Sequence, residues 1–155
     1  MDSFDELFDF SGAKIALFCE GKILTSLRDD FPDFPDLPYA GFWDLPGGGR
    51  EDNETPLECL FREVDEELNL TLTRNHINWV KTYRGMLKPD KLSVFMVGHI
   101  SQKEYDSIVL GDEGQGYKLM SIDEFLSHKK VIPQLQERLR DYLEVEDDYF
   151  TKGGS

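Results

Sequence analysis

Positive charge, cysteine, histidine and long apolar runs are all scarce in this chain, and each scarcity removes a class of function. Seventeen Lys and Arg stand against 31 Asp and Glu, a formal charge of -14, which repels nucleic acid backbones and anionic membranes. Neither is an expected partner. A small phosphorylated ligand stays within reach, because a divalent cation can bridge an acidic protein to an acidic ligand. The two cysteines, Cys19 and Cys59, form no short-spaced motif with each other or with a histidine, which argues against a disulfide framework or a zinc site. No stretch approaches the ~18 apolar residues of a membrane span. The start, MDSFDELFDFSG, carries acids where a signal peptide needs a basic region. A cytoplasmic protein is expected.

What is present suits one core and one domain: 155 residues, 39% hydrophobic and 12% aromatic. The regular region runs from about 13 to 143, with an acidic N-terminal segment before it and a tail from Glu144 expected to fray. Residues 13–20 and 23–27 read as a β-hairpin turned at Gly21-Lys22. The proline-rich stretch FPDFPDLPY forbids a central strand and suggests an ordered loop near Tyr39. Phe42 to Leu45 is short and apolar, and PGGG then stops any strand. Thr55-Pro56-Leu57-Glu58 announces a helix, with Thr55 as N-cap, Pro56 in the first helical position and Glu58 completing a capping box. Leu57, Leu60, Phe61, Val64 and Leu68 recur at helical spacing, and Asn69 can end the helix in the left-handed conformation, so the spacing predicts a helix over 56–68. Beyond it come strands over 76–83 and 91–100, with a bulge expected at Gly98, a glycine-rich loop over 111–116 and a strand over 117–120. A capped helix begins at Ser121, and a last helix spans 132–143.

On the first helix, Glu63, Glu66 and Glu67 stand at i, i+3 and i+4, so their carboxylates share a face near its C-terminal end. There they repel one another and oppose the helix dipole. A bound divalent metal reverses that cost, and hard oxygen ligands suit Mg²⁺ or Mn²⁺. On frequency alone, such a run in an acidic protein is more often a solvated helix face.

Its fixed distance from a glycine loop changes those odds. GGREDNETPLECLFREVDEELNL resembles the signature of the Nudix hydrolase family, with Asn69 where the family usually has Gly, and WDLPGG resembles the strand and loop that lead into it. The resemblance extends more weakly over 13–143. It implies an α/β (α+β) fold, an α/β/α sandwich with a mixed sheet, and a pyrophosphohydrolase cleaving a diphosphate linkage by water attack. Glu63, Glu66 and Glu67 are implied to bind the catalytic metal with the carbonyl of Gly47 or Gly48, and Arg62 to orient a carboxylate by pairing with Glu54 or another loop acid. GDEGQGYKLMSIDEF is similar to the MutT-like group of nucleoside triphosphate pyrophosphohydrolases, in which an EGQ glutamate, here Glu113, joins the metal site. Glu63 and Glu113 are alternative general bases.

The implied substrate is a small nucleotide. Arg28 is the candidate phosphate contact and Lys14 a weaker one. Tyr39, Phe42 and Trp43, with Phe34, are candidates for stacking on a base. HKKVIPQL places Val131 or Ile132 where the MutT-like group reads an oxidised guanine with Asn, so that specificity does not carry over with the resemblance. Nucleotide sugars, dinucleoside polyphosphates and RNA 5′ ends are alternative Nudix substrates. A nucleotide-sensing module without catalysis, or a calcium-buffering domain, are the readings outside enzymes. Monomer and homodimer are both left open.

Overall fold

In the computed structural model, residues 6–28, 39–85, 90–111 and 116–153 are described, with side chains as far as residue 146. Strands β1 (Phe10–Cys19) and β2 (Lys22–Leu27) form the expected hairpin. It turns through Glu20 and Gly21, both at positive φ, as a tight two-residue hairpin loop requires. The two strands pair only at Phe18↔Ile23 and Cys19↔Lys22 and then part. Two short strands fill the gap. β3 (Trp43–Asp44) pairs with β2, and β4 (Gly47–Gly49) pairs with β1. The glycine loop is thus wedged into the sheet, and Ile15 N–H donates to Pro46 O at 2.9 Å between them.

The rest of the sheet forms around this hairpin. β5 (Ile77–Arg84) pairs antiparallel with β6 (Leu92–His99), which runs parallel to β1, and β7 (Gly116–Met120) lies antiparallel to β2. Among the described residues the result is a seven-stranded mixed sheet. β1 and β6 carry apolar residues on both faces, as central strands must. Ile15, Leu17, Val94 and Met96 face helix α1 (Pro56–Leu68) through Leu57, Leu60, Val64 and Leu68. Ala16, Phe95 and Val97 face the opposite way, toward Phe125, Leu135 and Leu139. A short helix α2 (Gln102–Asp106), capped by Ser101 and Glu104, follows β6 and was not anticipated. Phe125 belongs to α3 (Ile122–Ser127), and Leu135 and Leu139 to α4 (Pro133–Gly153). The arrangement is the α/β/α sandwich that the sequence implied.

Two expectations are corrected. The bulge sits on β5, between Ile77 and Trp79, rather than at Gly98. Gly98 is glycine for another reason, since a Cβ there would collide with the His76 carbonyl. The last helix continues to Gly153 instead of fraying after Leu143, because no proline or glycine interrupts the segment before Gly153. Residues 29–38, including Phe34 and most of the proline-rich loop, lie outside the described residues. Among those described, no helix is long and apolar enough to cross a membrane.

Candidate active site

Each of the first two glycines of β4 is small because something touches it. Gly47 has φ 129, and a Cβ there would strike the Ala13 carbonyl oxygen. A Cβ on Gly48 would overlap the Glu63 carboxylate. The second glycine therefore admits a helix carboxylate to the loop backbone, which ties the glycine run to the acidic helix in physical terms. Helix α1 delivers that carboxylate in a fixed register. The Thr55 side chain accepts from Glu58 N–H at 3.3 Å and the Glu58 carboxylate accepts from Thr55 N–H at 2.9 Å, a cap worth ~1 kcal/mol. At the other end Asn69 adopts φ 52, ψ 39, and the last turn carries no basic residue.

Arg62 organises the acids. Its Nε and Nη2 donate to the two oxygens of Glu54 at 2.6 and 3.0 Å. Nη2 also donates to Gly49 O at 2.8 Å, and Nη1 reaches Glu63 at 2.9 Å and Glu66 at 3.3 Å. Every N–H of the fork has an acceptor. The Arg62 hydrogen bonds hold the Glu54 carboxyl below the usual range, and those acids raise the pKa of Arg62 in return.

This network sets how the acids relate to an ion. Among the described residues, no three His, Cys, Asp or Glu side chains converge tightly enough to hold a metal as they stand. Glu63 and Glu66 are drawn to Arg62. The donor chemistry nonetheless fits a hard divalent cation. Glu66 is 58% exposed. The Gly47 carbonyl accepts from Lys14 Nζ at 3.1 Å, and the Gly48 carbonyl, opposite Ala13 in the strand pairing, lies 3.6 Å from the Cys59 thiol. Glu67 is half-buried, its Oε1 accepting from Gly47 N–H at 3.3 Å. Burial pushes its pKa up to about 8, with Lys14 and the Gly47 N–H acting in the other direction. A buried carboxyl shifted in this way beside a cleft is a candidate for a functional group.

Beside the loop lies a cavity of about 320 Å³ whose wall includes Lys14, Arg28, Tyr39, Asp44 and Gly48. Asp44, 3% exposed, accepts from Lys14 Nζ at 3.0 Å, Arg28 Nη1 at 3.1 Å and Leu45 N–H at 2.7 Å. Sequence reading missed this residue, although a lone acid inside the apolar run Phe42 to Leu45 was a signal. Of the candidate stacking aromatics among the described residues, Tyr39 is in the cavity wall. Phe42 and Trp43 pack on the α4 side of the sheet, with Lys130 and Lys118 over their rings at 4.9 and 4.8 Å. Glu113 lies outside the described residues.

Residues 19–142 match the family model described as the NUDIX domain. The chain belongs to the Nudix family. Members of this family generally use divalent metal ions. It is 53% identical over 35 residues to an 8-oxo-dGTP diphosphatase of Proteus vulgaris, covering 23% of this chain and 31% of the relative. Over 95 residues it is 33% identical to an RNA pyrophosphohydrolase of Acidiphilium cryptum (strain JF-5), covering 61% of this chain and 56% of that one. The chain thus spans about a third and just over half of these relatives. The crystal structure of a MutT protein from Methanosarcina mazei Go1 superposes with a TM-score of 0.66 at 21% identity, covering 87% of this chain and 93% of that chain.

Where this Nudix chain departs from the family pattern, the structure gives the substitution a use. Asn69 tolerates the left-handed conformation, and its Nδ2 donates to Val109 O at 2.6 Å. Val109 N–H donates to Leu68 O at 3.0 Å and Gly111 N–H to Glu67 O at 2.7 Å. The segment that leads toward Glu113 is thereby stitched to the end of α1, with Asn69 adding a bond that glycine cannot make.

Proposed function

We propose that this Nudix protein is a Mg²⁺-dependent pyrophosphohydrolase, with Mn²⁺ as a substitute, acting in the cytoplasm on a nucleoside triphosphate or a related nucleoside diphosphate derivative. The observation that carries the reading is the meeting of Glu63 and Glu67 with the backbone of Gly47 and Gly48 at the end of α1, beside a cavity lined by Lys14 and Arg28.

In this reading Glu63, Glu66, Glu67 and the carbonyl of Gly47 or Gly48 would hold the metal, and Glu113 would join them. When bound, the ion neutralises diphosphate oxygens and acidifies the attacking water. Arg62, with Glu54, fixes where Glu63 and Glu66 stand. Glu63 or Glu113 takes the proton of the water as its oxygen bonds to phosphorus. The phosphorus–oxygen bond to the leaving group breaks, giving a nucleoside monophosphate and pyrophosphate. Arg28 and Lys14, steadied by Asp44, supply positive charge for the phosphates, and Tyr39 offers an aromatic surface.

The two curated relatives are named for action on 8-oxo-dGTP and on RNA. A small nucleotide is favoured over an RNA 5′ end because the formal charge of -14 repels an extended phosphate backbone. Hydrolysis in ¹⁸O-labelled water with Mg²⁺, followed by ³¹P NMR, tests the bond that is cut. Nucleoside monophosphate and pyrophosphate are expected, with one label incorporated. Nucleoside diphosphate and orthophosphate would contradict the proposal.

A further inference from the structure

Between β3 and β4 the chain turns through Leu45, Pro46 and Gly47, and the carbonyl of each accepts a hydrogen bond from Lys14 or Ile15 of β1. Ile15 N–H donates to Pro46 O at 2.9 Å, while Lys14 Nζ donates to Leu45 O at 3.2 Å and to Gly47 O at 3.1 Å. The remaining N–H of the ammonium goes to Asp44 Oδ2 at 3.0 Å. An ammonium has three donors, so Lys14 is satisfied where it stands. Its anchor is fixed too, because the buried Asp44 accepts from Leu45 N–H through its other oxygen at 2.7 Å. The turn meets the acidic helix at one residue. Gly47 gives its carbonyl to Lys14 and its N–H to Glu67 Oε1.

We infer that Lys14 is a positioning residue, which fixes the Leu45–Gly47 turn and through it the place of the Glu67 carboxylate, and which gives no hydrogen bond to the substrate. This rests on the metal-dependent hydrolase reading above. A phosphate oxygen could take an N–H of Lys14 only in exchange for Asp44, Leu45 O or Gly47 O, and stripping a shielded acceptor of its partner is costly. The charge of Lys14 still reaches the cavity, as a field rather than as a bond. Arg28 is the side chain suited to touch the phosphates. It is 41% exposed against 17% for Lys14, and a guanidinium has five donors where an ammonium has three.

Two readouts test this on the full chain. The first needs neither metal nor turnover: amide hydrogen exchange at Ile15 and Gly47, whose N–H groups tie the turn to β1 and to Glu67. Lys14→Met is expected to speed both about tenfold or more relative to a core amide of α4 such as that of Leu139, and Arg28→Met to leave them near their wild-type rates. The second is steady-state kinetics with Mg²⁺. Lys14→Met is expected to lower kcat about 10²-fold, the cost of a misplaced group, with KM near the wild-type value, whereas Arg28→Met raises KM. Lys14→Arg keeps the charge, but a planar fork does not meet three acceptors set around one point, so no rescue of kcat is expected. A raised KM with unchanged kcat in Lys14→Met would mark a phosphate ligand and overturn the inference. Full activity of Lys14→Arg would overturn it as well, as would wild-type exchange at Ile15 and Gly47 in Lys14→Met. Faster exchange in that variant with no turnover by the wild type would remove only the hydrolase reading. Turnover with exchange unchanged would remove only this one.

Discussion

Replacing Glu67 by Gln is expected to lower kcat/KM about 10³-fold and to flatten the pH dependence of stability in the metal-free protein. The kinetic part follows from losing a metal ligand, since such an ion supplies several kcal/mol of transition-state stabilisation and each ~1.4 kcal/mol is a factor of ten. The stability part follows from burial, which raises the Glu67 pKa from its ordinary value of 4.5 to about 8. Between those values the folded protein holds a proton that the unfolded chain has released. Stability therefore falls as pH rises from 4.5 to about 8, and levels off above. The penalty amounts to roughly a few kcal/mol. Added Mg²⁺ binds the ionised form and is expected to raise the melting temperature most at the upper end of this window. Thermal melts of wild type and Glu67→Gln from pH 5 to 9, with and without Mg²⁺, check both statements. A wild-type profile identical to that of the variant would show that Glu67 is not the titrating group.

Gly47→Ala is expected to cost more stability than any other single change in the glycine run, above ~4 kcal/mol. The left-handed φ of 129 strains any L residue, and the new Cβ would meet the Ala13 carbonyl and the Lys14 backbone. Neither obstacle can yield. Both are backbone of β1, paired there with β4 and flanked by the buried Ile15. Relief would come only by parting β4 from β1, which also withdraws the Gly47 N–H from Glu67. Costs of this size are exceptional and come from a short list of mechanisms, of which forced φ/ψ is one. Gly49→Ala is the control: the nearest atom to its Cβ is Ser11 O at 4.0 Å, and a change within ~0.5 kcal/mol is expected. Denaturant midpoints of the two variants measure the contrast.

Much of this was legible along the chain, because the signals were local. The capping box, the Leu57, Leu60, Val64 and Leu68 stripe and the left-handed Asn69 define α1 within a few residues of one another. The pairing of Arg62 with Glu54 spans one loop, and resemblance pointed to it. Features that depend on distant partners were not legible. Asp44 read as part of a short apolar strand until Lys14 and Arg28 were found against it. Phe42 and Trp43 read as a stacking surface, yet packing against α4 uses them. Arg138 was not singled out, because nothing in QLQERLRDYL says which turn of α4 is buried. The length of α4 was underestimated because acidity was taken as a reason to fray, whereas the segment lacks a helix breaker.

The most direct measurement is Mg²⁺-dependent release of pyrophosphate from a panel of nucleoside triphosphates, with nucleotide sugars alongside, by wild type and Glu66→Gln. Glu66 is largely exposed, at 58%, so its loss leaves the core intact and reports on the site alone. The account predicts turnover of at least one nucleoside triphosphate by the wild type and a fall of about 10³-fold in the variant. Absence of turnover on every substrate, or equal turnover by the two proteins, would contradict it.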